Sequence, residues 1–232
     1  MEIHGLQKLT LLDYPGHTAC TVFTGRCNFR CPFCQNASLV LHPETLATIP
    51  EEDVFHFLEK RKGLLDGVAV TGGEPTLQPD LPDFLRRVKD MGYETKLDTN
   101  GARPETLGRI LAEGLADYVA MDVKSSPAGY GRCAGIPADR LLDAVQESVR
   151  LLESSGVAHE FRTTAVKGLH SIEDFEAIGR WLAGTEKYFI QSYVDSGDIL
   201  EPGCEAFSRE ELEELLAAVR PHIPDALLRG TD

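Results

Sequence analysis

Between residues 18 and 200 the chain switches steadily between short β-type runs and amphipathic helical patterns, and this rhythm limits its possible folds most. The runs at 18–23, 67–71, 94–99, 118–123, 159–166 and 188–191 are short and carry β-branched or aromatic residues, so they read as strands. Apolar residues at helical spacing fill 51–62, 81–91, 104–112, 140–155, 172–182 and 209–219. Strands that alternate with helices predict an α/β fold, a parallel sheet with helices outside it. Six such units are fewer than the eight of a full TIM barrel. The expectation is an open, partial (β/α)6 TIM-like barrel, with residues 226–228 adding a last short strand. The 232 residues suit a single domain, 1–232: an N-terminal segment 1–17, a core 18–200, and a C-terminal helix and tail 201–232.

In such folds function collects where the strands end, and the unusual residues sit there. Cys27, Cys31 and Cys34 follow the first expected strand, and Gly72-Gly73-Glu74-Pro75 the second. Asp98-Thr99-Asn100-Gly101 ends the third, Asp122 and Lys124 finish the fourth, and Arg162 lies on the fifth. Separate loops converging on one rim are the mark of one active site.

The spacing C-x3-C-x2-C in Cys27, Cys31 and Cys34 lets three thiolates from one loop grip three corners of a four-iron cluster. Such clusters usually take four cysteines, and no fourth lies nearby, so one iron would be open to an outside ligand. Two other readings compete. A structural zinc site wants four ligands, often as two spaced pairs, and only one triplet is present. A redox C-x-x-C fits Cys31-Pro32-Phe33-Cys34 but leaves Cys27 unexplained. The scattered Cys20, Cys133 and Cys204 read as plain buried or surface thiols.

The triplet, with Phe33 supplying an aromatic before Cys34, resembles the C-x3-C-x-aromatic-C signature of radical S-adenosylmethionine (SAM) enzymes. The resemblance implies the radical SAM type of partial barrel. It also implies a [4Fe-4S] cluster on Cys27, Cys31 and Cys34, whose open iron is chelated by the amino and carboxylate groups of SAM. Reductive cleavage of SAM then gives methionine and a 5′-deoxyadenosyl radical. Gly72-Gly73-Glu74-Pro75 is similar to the family's second motif, which binds the SAM amino group. Two glycines let backbone come close to a ligand, and Glu74 offers a carboxylate to an ammonium. Standing alone, that tetrapeptide would be an ordinary turn.

More of the chain resembles the activating enzymes of glycyl radical enzymes. Asp13-Tyr14-Pro15-Gly16 is similar to their Asp-x-Pro-Gly segment. Asn36 fits their His-Asn pair, whereas Gln35 departs from it. Asp98-Thr99-Asn100-Gly101 and the Asp122–Lys124 pair resemble their later strand-end motifs. By that resemblance Asp98, Thr99 and Asp122 would hold a monovalent cation beside the SAM carboxylate, Lys124 and Arg162 would contact SAM, and Asn36 would help Glu74 position it. The alternatives are that Asp98 caps a turn and that Lys124 and Arg162 are surface charges. A ribose contact by Gln191 or Tyr193 would replace a histidine common in the family.

The stretch from Gly5 to Gly16, with Thr21-Val22-Phe23-Thr24-Gly25, is most similar to activating proteins of anaerobic (class III) ribonucleoside-triphosphate reductase. No cysteine falls between Cys34 and Cys133, so no inserted second-cluster region is expected. The implied partners are a glycyl radical enzyme as protein substrate and a flavodoxin- or ferredoxin-type electron donor. No side chain is expected to act as an acid or base, because a radical moves rather than a proton. The rival enzyme reading is radical SAM chemistry on a nucleotide or pterin-like metabolite, and the non-enzyme reading is a module keeping metal for structure.

The formal net charge of −14 argues against non-specific nucleic-acid binding, which needs clustered Lys and Arg. No apolar run reaches the roughly 18 residues of a membrane span, and Met1–Gly5 lacks a signal-peptide layout. The expectation is a cytoplasmic protein with reduced thiols.

Overall fold

The computed structural model describes residues 1–231. Its single sheet contains β1 (Ile3–Thr10), β2 (Ala19–Thr24), β3 (Gly67–Gly72), β4 (Glu94–Thr99), β5 (Tyr118–Asp122), β6 (Ala158–Ala165), β7 (Tyr188–Ser192) and β8 (Leu227–Arg229). The helices are α1 (Ala37–Leu41), α2 (Glu51–Glu59), α3 (Leu81–Asp90), α4 (Pro104–Ala112), α5 (Tyr130–Ala134), α6 (Leu142–Ser155), α7 (Ile172–Trp181) and α8 (Arg209–Val219). The spatial strand order follows the chain order from β1 to β8. Only the β1–β2 pair is antiparallel; every later neighbour is parallel. β1 and β8 are the two edges and do not pair with each other, so the barrel stays open on one side.

The expected alternation is present, the last short strand included, with β1 added before it. β1 lies within the segment read as preceding the first strand, and β8 falls one residue from its expected place. Val68, Ala69 and Val70 of β3 are fully buried, as a parallel strand covered on both faces requires. α3 shows why the helices lie outside: Leu81, Phe84, Leu85 and Val88, at helical spacing, are all buried, while Asp83, Arg86 and Lys89 point away. Each such side chain contributes about 2 kcal/mol of burial, and Leu85→Ala would cost about 3 kcal/mol. α7 and α8 each begin with a capping box, Ser171 with Asp174 and Ser208 with Glu211.

The Asp13-Tyr14-Pro15-Gly16 motif forms the turn joining β1 to β2. Tyr14 is buried with Ala19 and Tyr118, at the end of the barrel opposite the strand C-termini. Asp13 instead accepts a hydrogen bond from Thr21 Oγ1 (2.6 Å), from the strand that leads into the cysteine loop.

Candidate functional site

The loop leaving β2 is fixed by backbone before any ligand is considered. Arg26 is the single non-glycine residue with positive φ (69°) among the described residues. Its N–H donates to Leu39 O (2.8 Å), and its carbonyl accepts from Glu74 N (2.7 Å). The aromatic residues between the cysteines anchor the loop in the core. Phe29 packs edge-on against Tyr130 (6.5 Å) and Phe33 against His170 (6.2 Å), and both are buried. On the other side a strap, 194–201, holds the loop. Leu200 N donates to Cys34 O (3.3 Å) and Glu201 N to Pro32 O (2.9 Å). Asp198 accepts from Ser38 Oγ (2.8 Å) and Ser38 N (3.1 Å), capping the start of α1. Gln35 donates through its amide to Val194 O within the same strap.

Gly72 and Gly73 are required by the chain itself. A Cβ on Gly73 would lie 1.9 Å from Arg26 O, and one on Gly72 would lie 2.4 Å from Thr24 N, at φ +121°. Much of the space that the two glycines leave is filled by the crossing backbone of the cysteine loop rather than left to a ligand. Gly73 N donates to Thr24 O (2.8 Å) across that crossing. Asn36 Nδ2 donates to Gly72 O (3.3 Å), tying the end of the cysteine loop to the same motif.

Glu74 is 1% exposed. Burial pushes its carboxyl pKa up, partly offset by donors from its own chain. Thr76 donates from N and Oγ1, Thr99 from Oγ1 (2.7 Å), and Asn100 from N (2.7 Å). The carboxylate thereby joins β3 to the end of β4. Asn100 in turn reaches Asn28 Oδ1 (2.9 Å), inside the cysteine loop.

A charge network crosses β4, β5 and β6. Arg162 bridges two carboxylates, Nη2 to Asp98 (2.9 Å) and Nε to Asp122 (2.6 Å). Lys96 pairs with the other Asp98 oxygen, and Lys124 with the other Asp122 oxygen (3.0 Å). Burial would raise both carboxyl pKa values, but Arg162 with Lys96 holds Asp98 below its ordinary range, and Arg162 with Lys124 holds Asp122 far below. The acids pair across the sheet and cap no turn, and Lys124 and Arg162 are not free surface charges.

The cysteines, the Gly72-Gly73-Glu74 turn and the Asp98–Arg162–Asp122–Lys124 network line one cavity of about 320 Å³, while Lys96 lies outside its lining. The structure brings together every site residue expected from sequence. Cys27, Cys31, Phe33, Cys34 and Asn36 form one wall; Gly72, Gly73 and Glu74 the next; Asp98, Thr99, Asp122, Lys124 and Arg162 the rest. Gln191 also lines it, whereas Tyr193 is not among the lining residues. Gln7, Asp13, Thr21 and Phe23 line it too, from strands and a turn that sequence reading had not assigned to the site. Cys20, Cys133 and Cys204 lie off the cavity, and all six cysteines are free thiols.

Burial pushes the Cys27 thiol up to about 11 and Cys31 up to about 12, and raises Cys34 as well. Such thiols ionise at neutral pH only when a positive metal centre binds them. Three soft sulfur donors on one wall, with no fourth cysteine lining the cavity, suit an iron–sulfur cluster with one open position. Among the described residues no His, Cys, Asp and Glu side chains are gathered closely enough to hold a single ion. Donors to three irons of one cluster need not converge on one point.

The parallel barrel with its cysteine loop at the strand ends defines a class, and sequence comparison agrees with it. The radical SAM superfamily pattern matches residues 21–182, and the chain belongs to that superfamily. Over 98% of this chain and 95% of its own length, a Methanocaldococcus jannaschii protein is 29% identical; it is provisionally named a glycyl-radical enzyme activating enzyme. A 7-carboxy-7-deazaguanine synthase of Methanopyrus kandleri is 29% identical over 77% of this chain and 74% of its own. GTP 3′,8-cyclases also match, and the chain spans about half of their length. A domain of a pyruvate-formate lyase-activating enzyme from Bacteroides vulgatus superposes with a TM-score of 0.57 at 20% identity, covering 71% of this chain and 99% of that one. The family implies a [4Fe-4S] cluster and SAM. Among the described residues no helix is long and apolar enough to cross a membrane.

Proposed function

We propose that this radical SAM enzyme generates a glycyl radical on a partner protein, with an anaerobic ribonucleoside-triphosphate reductase as the leading candidate partner. The observation that carries the reading is the cavity's charge. The cationic side chains lining it are already paired, Lys124 with Asp122 and Arg162 with both Asp98 and Asp122. Their network with Lys96 keeps one net positive charge, enough for the single carboxylate of SAM but too little for a triphosphate metabolite as well, whereas a backbone glycine needs no cation. That β1 and β8 are unpaired edges supports a polypeptide loop as the substrate. The full-length likeness to a relative named as an activating enzyme supports the same reading.

In this proposal Cys27, Cys31 and Cys34 hold the cluster, and Phe33 fixes the loop between the last two. When bound, the cluster and SAM would supply the radical chemistry, abstraction of a hydrogen atom by a 5′-deoxyadenosyl radical. The chain's own residues orient and enclose. Gly72, Gly73, Glu74 and Asn36 would hold SAM, and Asp98, Thr99, Asp122, Lys124 and Arg162 would set the charge for its carboxylate. A flavodoxin- or ferredoxin-type donor supplies the electron, in a reducing cytoplasm.

The second reading, a small-molecule substrate, draws on the deazaguanine synthase likeness. Incubating the reduced, reconstituted enzyme with SAM and the candidate reductase separates the two. A glycyl doublet in the paramagnetic resonance spectrum is expected. No doublet, with SAM cleavage stimulated by a nucleotide or pterin-like compound instead, overturns the protein-substrate reading.

A further inference from the structure

The resemblance to glycyl radical activases implies a monovalent cation on Asp98, Thr99 and Asp122, and the side chains of this chain do not fit one. Each of the four carboxylate oxygens of Asp98 and Asp122 already faces a cationic donor: Lys96 and Arg162 on Asp98, Arg162 and Lys124 on Asp122. Thr99 Oγ1 donates to Glu74 (2.7 Å) and accepts from Gly101 N (3.1 Å). Three cations against two anions leave the cluster at +1, and Lys96, 1% exposed, is walled from solvent beneath it. Another ion placed there would meet three like charges in a medium where they repel strongly.

We infer that Lys96 and Arg162 replace the bound monovalent cation, so that this chain carries its own counter-charge for the substrate carboxylate. The inference rests on the reading of the cavity as the SAM site. A carboxylate of charge −1 arriving beside a +1 cluster gives a neutral, buried assembly, which is the work a bound cation would otherwise do. Lys96 lies outside every motif by which the chain resembles its family. It acts on the ligand through Asp98 and so is a positioning residue.

The test is SAM binding to reconstituted protein by equilibrium dialysis, at one ionic strength, in potassium, sodium or tetramethylammonium chloride. Wild-type affinity should agree within twofold across the three. Lys96→Met should lose about tenfold in tetramethylammonium and regain most of it in potassium, because removing one nearby charge opens a vacancy for an ion. Lys96→Arg should stay indifferent to the salt. A second readout needs no cofactor: the thermal midpoint of the unreconstituted Lys96→Met protein should rise with potassium, and that of wild type should not.

A wild-type affinity that falls fivefold or more when potassium is withdrawn overturns the inference. So does a Lys96→Met protein indifferent to potassium in both readouts. Should Lys96→Met fail to fold, the wild-type salt series decides alone. If wild type binds SAM in no salt, the reading of the site is what fails, and the thermal midpoints still decide the role of Lys96.

Discussion

Gly73→Ala perturbs the contact on which the geometry of the cysteine loop depends. The new methyl carbon would lie 1.9 Å from Arg26 O and 2.6 Å from Arg26 C, both backbone atoms that no rotamer change can move. Relief requires the β3 end and the loop start to separate. That separation breaks or stretches two hydrogen bonds, Gly73 N to Thr24 O (2.8 Å) and Glu74 N to Arg26 O (2.7 Å). Two buried bonds at about 1 kcal/mol each and overpacking of about 1–3 kcal/mol give a destabilisation of about 3–5 kcal/mol. Cys27 adjoins Arg26, so iron content after reconstitution should fall with stability. Urea unfolding followed by circular dichroism measures the first, and iron and sulfide analysis the second. Gly108→Ala is the control. Its added carbon would meet only Leu151 Cδ1, at 3.7 Å. Within α4 it should stabilise by about 0.5–1 kcal/mol. A Gly73→Ala protein within 0.5 kcal/mol of wild type, with full iron, would refute the reasoning.

Further outcomes follow from other contacts. Asp198→Ala removes the strap's cap on α1 and should cost about 1 kcal/mol while speeding iron loss to a chelator several-fold; unchanged release would show that the strap does not hold the loop. Cys31→Ala should abolish cluster absorbance and SAM cleavage with little change in circular dichroism, and retained iron would refute the ligand assignment. Arg229→Met leaves Glu160, 1% exposed, buried without its bidentate partner. Burial would raise the Glu160 carboxyl pKa, but Arg229 and Tyr118 hold it below its ordinary value. Its ionised form therefore stabilises the fold above the unfolded carboxyl value, and that stabilisation is lost as pH falls through the folded one. Arg229→Met should cost about 2 kcal/mol at pH 7, less than a fully buried pair because Arg229 is 32% exposed. The deficit in thermal stability should shrink toward pH 5, as protonation removes the uncompensated charge; a deficit that grows instead would contradict the assignment.

The parallel strands and long helices were legible because their buried faces repeat with period and length. β1 was not, since only Ile3 and Thr10 of its eight residues are buried and the rest read as polar chain. α1 and α5, five residues each, are too short for a helical period to register. The cavity-lining residues sit at strand ends, where sequence motifs mark them. Lys96 escaped notice because a lysine within a strand suggests a solvent-facing position. In this barrel it shares a side of β4 with Asp98, two residues on, and faces inward. The strap was hidden for another reason: Asp198 meets Ser38 across 160 residues of chain, and no local pattern encodes that pairing.

The central claim is that three thiols leave one iron of a cluster free to take SAM. Low-temperature paramagnetic resonance of the anaerobically reconstituted, reduced protein, recorded with and without SAM, tests it most directly. The account predicts a cluster signal whose g-values shift when SAM is added. A signal that SAM leaves unmoved, or a protein that binds zinc and no iron, would contradict it.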